Sequence, residues 1–154
     1  MESVKTLIAQ ICEIMKLQMQ PGWAKLLLCC QFTPNSFSNA LRALSTDGTV
    51  LGDLDEAGWS DEDRFDETLS ELWDCYLDHA AALDWDEFVI LIDSRGQATV
   101  DYYLHEMEHL YSSEKTDFFE CRYFGLPLPE RLAQVVANPL FKDVKREKTY
   151  QRES

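Results

Sequence analysis

The chain has 154 residues, 45% of them hydrophobic and 12% aromatic, which suits one domain with a sizeable core and excludes a disordered or low-complexity segment. Its 28 acids against 14 bases leave a formal charge of -14. Nucleic acid and anionic membrane surfaces therefore repel the chain as a whole, and a basic partner is its natural complement.

Along the chain, Val4, Leu7, Ile8, Ile11, Ile14 and Met15 fall on one face at helical spacing, which predicts a first helix from Ser3 to Met19 ended by Pro21-Gly22. Apolar residues at such intervals, behind the acid Glu2, match neither a secretory signal nor a membrane span, and the expected location is cytoplasmic. Trp23–Phe32 is a short apolar run between turn signals and reads as a strand buried on both faces. Residues Phe37–Ser45 and Thr49–Leu51 flank Asp47-Gly48 as a hairpin, completing a meander.

A second helix is predicted behind Ser60 as N-cap, with Asp61, Glu62 and Asp63 in its first turn and Phe65, Leu69, Leu72, Trp73, Tyr76 and Ala80 on its apolar face. Trp85–Asp93 and Gln97–Leu104 flank Ser94-Arg95-Gly96 as a second hairpin. Phe118–Phe124 is too short to assign as strand or helix, and Pro129–Ala137 suits a short helix. The expected fold is α+β: a largely antiparallel sheet of about five to six strands, meander plus hairpin, with the N-terminal helix and a long acidic central helix covering one face. Residues 1–140 form the expected single domain, and 141–154 a polar C-terminal tail.

Five cysteines (Cys12, Cys29, Cys30, Cys75, Cys121) make an odd set without C-x-x-C spacing and read as core thiols in a reducing compartment. Nothing in the spacing sets a base beside any of them. His105-Glu106-Met107-Glu108-His109 matches the H-E-x-x-H zinc-hydrolase pattern, which requires an amphipathic helix. The preceding Ala98–Leu104 alternates and is β-prone, so His105 falls at a strand end. The nucleotide-binding glycine patterns and G-x-S-x-G are missing from the sequence. His79, Trp73 and Trp85 read as structural. No catalytic residue, metal or cofactor is expected.

The charge is not spread evenly. Between Asp53 and Asp93, 15 acids face one base, Arg64, while the rest of the chain balances at 13 of each. Asp63, Asp66, Glu67, Glu71, Asp74 and Asp78 lie opposite the apolar stripe of the second helix, a negative ridge about 30 Å long over about 20 residues. Like charges at such spacings cost stability. The ridge, with Asp55 and Glu56 in the loop before it, is the candidate binding face for a basic protein.

Several segments taken together resemble the YezG-like family of bacterial immunity proteins, the antitoxin partners of secreted polymorphic toxins. They are Trp23-Ala24-Lys25, Trp59 with Asp61-Glu62-Asp63-Arg64-Phe65, Trp85 with Leu91-Ile92-Asp93-Ser94-Arg95-Gly96, Val100-Asp101-Tyr102, and Tyr123-Phe124-Gly125-Leu126-Pro127. The resemblance covers about residues 23 to 127. It implies a non-enzymatic cytoplasmic protein that binds and blocks a cognate toxin. Many such toxins are nucleases, and a nuclease with a basic surface is the expected partner, with neither nucleic acid nor membrane bound directly. The alternatives are a zinc-dependent hydrolase built on His105, Glu106 and His109, and an acidic adaptor or DNA-mimicking inhibitor.

Overall fold

A computed structural model describes residues 2–52, 54, 56–79, 82–104 and 112–137. Helix α1 (Glu2–Gln18) leads through a turn, in which the Trp23 amide donates to the Gln20 carbonyl, into strand β1 (Trp23–Phe32). From Leu26 to Cys30 every side chain of β1 is buried. An antiparallel partner lines each of its edges: β2 (Phe37–Ser45) on one side and β4 (Glu87–Asp93) on the other. Short β3 (Val50–Leu51) extends the sheet beyond β2, and β5 (Ala98–Tyr103) beyond β4, for the order β3-β2-β1-β4-β5. The expected meander and hairpin are both present.

Local chemistry closes the turns. Thr33 Oγ1 accepts from the Asn35 and Ser36 amides between β1 and β2. Asp47 Oδ1 accepts the Thr49 amide at 2.9 Å beside Gly48, whose φ of +89° suits glycine. In the second hairpin Asp93 Oδ1 accepts the Arg95 and Gln97 amides at 2.8 and 2.9 Å.

The first two helices cover one face of the sheet as expected, and two further helices cover the other, which the one-face expectation lacked. On one face Leu26, Leu28, Cys30 and Phe32 join Phe88, Ile90 and Ile92 in a core closed by α1 and by α2 (Glu62–His79). On the other, Leu27, Cys29, Val89 and Tyr103 meet Phe118, Phe119 and Phe124 of α3 (Ser112–Phe124) and Leu132 of α4 (Glu130–Val136). The physical reason lies in β1: a strand apolar on both faces demands cover on both. The undecided Phe118–Phe124 run is thus the C-terminal half of a helix. All five cysteines are free thiols; Cys12, Cys29, Cys30 and Cys121 are buried. Burial pushes the Cys12 thiol up to about 11 and Cys29 higher still, which makes both poor nucleophiles. No helix among the described residues is long and apolar enough to cross a membrane.

The second layer adds polar contacts to its apolar cluster. Arg42 Nε donates to Glu120 at 3.1 Å, Lys115 Nζ to the buried Glu87 at 2.9 Å, and Lys25 Nζ to the Tyr123 carbonyl at 3.0 Å. Tyr123 OH donates to the buried Asp101 carboxylate at 2.5 Å and lies 2.7 Å from Tyr103 OH. Burial, with Tyr103 and Asp101 adding, holds the Tyr123 hydroxyl far above the usual phenol range, so it stays protonated and remains a donor. Two of the sequence segments singled out above, around Asp101 and Tyr123, therefore meet in one contact. Tyr123→Phe removes a donor from a buried carboxylate and is expected to cost about 1–3 kcal/mol of unfolding free energy in urea titrations; an unchanged midpoint would show the contact to be dispensable.

Candidate functional site

Helix α2 is pinned along its inner face by Phe65, Thr68, Leu69 and Leu72, all buried. Trp73 anchors one flank: its Nε1 donates to the Thr33 carbonyl at 2.9 Å, and its ring packs 5.6 Å from Phe37. Tyr76 packs against Phe32 and Trp85 at 5.2 and 5.4 Å. Trp73 and fully buried Trp85 are thus parts of the packing.

The entry to α2 departs from the expected cap. The helix begins at Glu62, and Ser60 is held through its backbone by a distant side chain. Gln18 Nε2 donates to the Ser60 carbonyl at 2.8 Å, and Gln18 Oε1 accepts the Ser60 amide at 3.0 Å. Gln18 is buried and also donates to the Ile14 carbonyl. Trp59 meets Phe65 edge-on at 5.2 Å, and Glu62 reaches back to accept the Gly58 amide. These contacts fix the helix in rotation as well as in position, and so decide where its acids point.

They point outward. Asp63, Asp66, Glu67, Glu71, Asp74 and Asp78 are all exposed. At 3.6 residues per turn they sweep roughly 140° of the helix circumference over about 22 Å. Among the described residues, no lysine or arginine forms an ion pair with any of the six. Arg64 leans instead toward Asp61 at 3.9 Å, both side chains half-exposed, a contact of little energetic consequence. Toward the C-terminal end, Glu71, Asp74 and Asp78 line a groove of about 510 Å³ with Thr6 and Leu7 of α1. Leu77, 37% exposed, adds an apolar spot on the same outer side.

Of the two loop candidates, Glu56 is half-buried with its carboxyl beside that of Asp66, and Asp55 lies outside the described residues. Not every acid of the dense segment belongs to the ridge. Asp86 and Glu87 are buried, Glu87 against Lys115, and Asp93 closes a turn. Sequence reasoning did not mark Asp86, Glu87 or Asp101 as interior groups; the fully apolar neighbours of Glu87 in β4 were the one available signal. The H-E-x-x-H residues His105–His109 lie outside the described residues. Among those described, no group of three histidine, cysteine or acidic side chains could hold a metal ion.

Burial, and after it the Glu56 carboxyl, raises Asp66 above the usual aspartate range. The folded chain thus binds this proton more tightly than the unfolded one, and stability falls as pH rises from the unfolded value through the folded one. Asp66→Asn is expected to raise the melting temperature at pH 7 and to leave it unchanged at about pH 3. Glu67→Gln with Glu71→Gln should each add a few tenths of a kcal/mol at low salt, fading by about 0.5 M, in thermal melts. A loss of stability in these variants would make the ridge acids structural. No protein-family model matches the chain, and no curated protein matches it.

Proposed function

We propose that the chain is an immunity protein, which binds a cognate bacterial toxin in the cytoplasm and neutralises it without catalysis. The observation that carries this reading is the set of six exposed carboxylates on α2 that meet no lysine or arginine among the described residues, on a helix fixed in orientation by the aromatic packing and the Gln18 clamp. Self-repulsion along such a face costs stability that uncharged side chains would not. Its return is long-range attraction to a cationic surface, which speeds encounter and rejects anionic competitors. Lysines and arginines that grip substrate phosphates also grip carboxylates, so a nuclease with a basic cleft or rim is the toxin class that fits. The resemblance of residues 23–127 to YezG-like immunity proteins points the same way.

In this mechanism the α2 carboxylates occupy the positive surface that nucleic acid needs, and the groove beside Asp74 and Asp78 receives a basic side chain from the toxin. Inhibition is electrostatic and steric. The protein's own chemistry supplies orientation and charge, with no bond made or broken.

The test is association with a nuclease toxin domain of basic surface, sought among the genes adjoining that of this chain, followed by its nuclease activity. The complex is expected to abolish cleavage. Its association rate should fall by about tenfold or more between low salt and about 0.5 M. A Glu67→Gln, Glu71→Gln, Asp74→Asn variant should lose a similar factor at low salt while keeping its fold by circular dichroism. A rate insensitive to ionic strength, or unchanged in that variant, would overturn the reading.

A further inference from the structure

Strand β2 is longer than the strand that covers it. Only Ala43 and Leu44 pair with β3, and the Leu54 amide reaches the Leu41 carbonyl beyond them. That last bond identifies the side to which each residue's backbone points. Leu41 faces away from β1, and by the period of two so do Phe37 and Asn39. Among the described residues no backbone group meets the outward N–H and C=O of Phe37 or Asn39. This is an open edge of about 14 Å from Phe37 to Leu41, where the Leu54 amide takes the Leu41 carbonyl.

Open edges are commonly blunted by charge, proline or a bulge. Here the stretch reads Phe-Ser-Asn-Ala-Leu, with none of these, in unbroken register with β1. Its surroundings are built on both faces. On the α2 side, Phe37 packs on Trp73, and Asp66, Ser70 and Leu77 lie along the same exposed flank of the helix, with Glu56 beside Asp66. On the α3 side a cavity of about 240 Å³ borders the stretch, its wall including Ser38, Ala40, Gln31, Thr116 and the Lys115–Glu87 ion pair.

We propose that the outer edge of β2 is a strand-addition site for an extended, cationic segment of the partner protein, a proposal that rests on the basic-partner reading above. Alternate side chains of the added strand project toward α2 and toward the cavity. Lysine or arginine on the first side meets the carboxylates of Asp66 and Glu56, and small polar side chains on the second enter the cavity. Charge selects against the other obvious occupant. Pairing β2 with β2 of a second copy would set two chains of formal charge -14 side by side, with their α2 flanks on the same face of the joined sheet. A cationic strand gains where a second copy is repelled.

The test uses an eight-residue peptide alternating lysine and threonine, and a copy N-methylated throughout. Both carry the same charge, and the methylated one cannot donate backbone hydrogen bonds. Calorimetric titration of the full chain is expected to give at least tenfold tighter binding of the unmethylated peptide, with shifts at the Asn39 and Leu41 amides by NMR. Asn39→Pro removes an outward N–H without breaking a bond to β1, and should erase that difference, as should Asn39→Lys, the milder change for folding. Equal affinity for the two peptides, lost in the Glu67→Gln, Glu71→Gln, Asp74→Asn variant, would overturn strand addition and leave the acidic-face reading standing. A dimer by sedimentation that Asn39→Pro dissolves would assign the edge to a second copy and overturn the proposal. Failure of both peptides to bind would overturn both readings.

Discussion

Strand β1 sets the terms for the rest of the molecule. Its five consecutive buried residues, Leu26 to Cys30, cannot be satisfied by one layer of helices, because alternate side chains leave the sheet on opposite sides. Two layers follow, and they differ in kind. The α1/α2 side is closed by aliphatic and aromatic contacts around Phe32, Phe88 and Trp85. The α3/α4 side adds ion pairs and hydroxyl contacts to a smaller apolar cluster.

This division frees α2 from any polar duty toward the sheet. Its inner face is apolar and its flank is fixed by Trp73, so its six outward acids meet no lysine or arginine among the described residues. Elsewhere the acids of the chain serve the fold: Glu87 answers Lys115, Asp101 answers Tyr123, and Asp47 and Asp93 close turns. The contrast between acids with such partners and acids without them, more than the net charge, motivates the binding proposal. The open edge of β2 lies against the Trp73 flank of that same helix, so a single docking segment can engage backbone and charge together.

How much of this was legible in the sequence depended on the range of the interaction. The two hairpins were, because Asp47-Gly48 and Asp93 with Gly96 act within a few residues. So was the sidedness of α2, since the spacing of Phe65, Leu69 and Leu72 determines which positions remain outside. What the sequence concealed was long-range. The entry to α2 depends on Gln18, 42 residues from Ser60, in place of a local cap. Helix α3 docks through Lys115, Glu120 and Tyr123 onto Glu87, Arg42 and Asp101, residues that periodicity counts as surface. With its apolar residues confined to the stretch Phe118–Phe124, its pattern alone could not distinguish helix from strand.

In the proposed function a cationic protein covers the α2 acids, and carboxyl footprinting tests that most directly. Carbodiimide-driven amidation of the chain, free and in complex with a basic toxin domain of the proposed class, reads each acid by mass spectrometry. Protection of Asp63, Asp66, Glu67, Glu71, Asp74 and Asp78, with Glu13 on α1 labelled equally in both states, is the predicted result. Equal labelling of the six in the free chain and in the complex would contradict it.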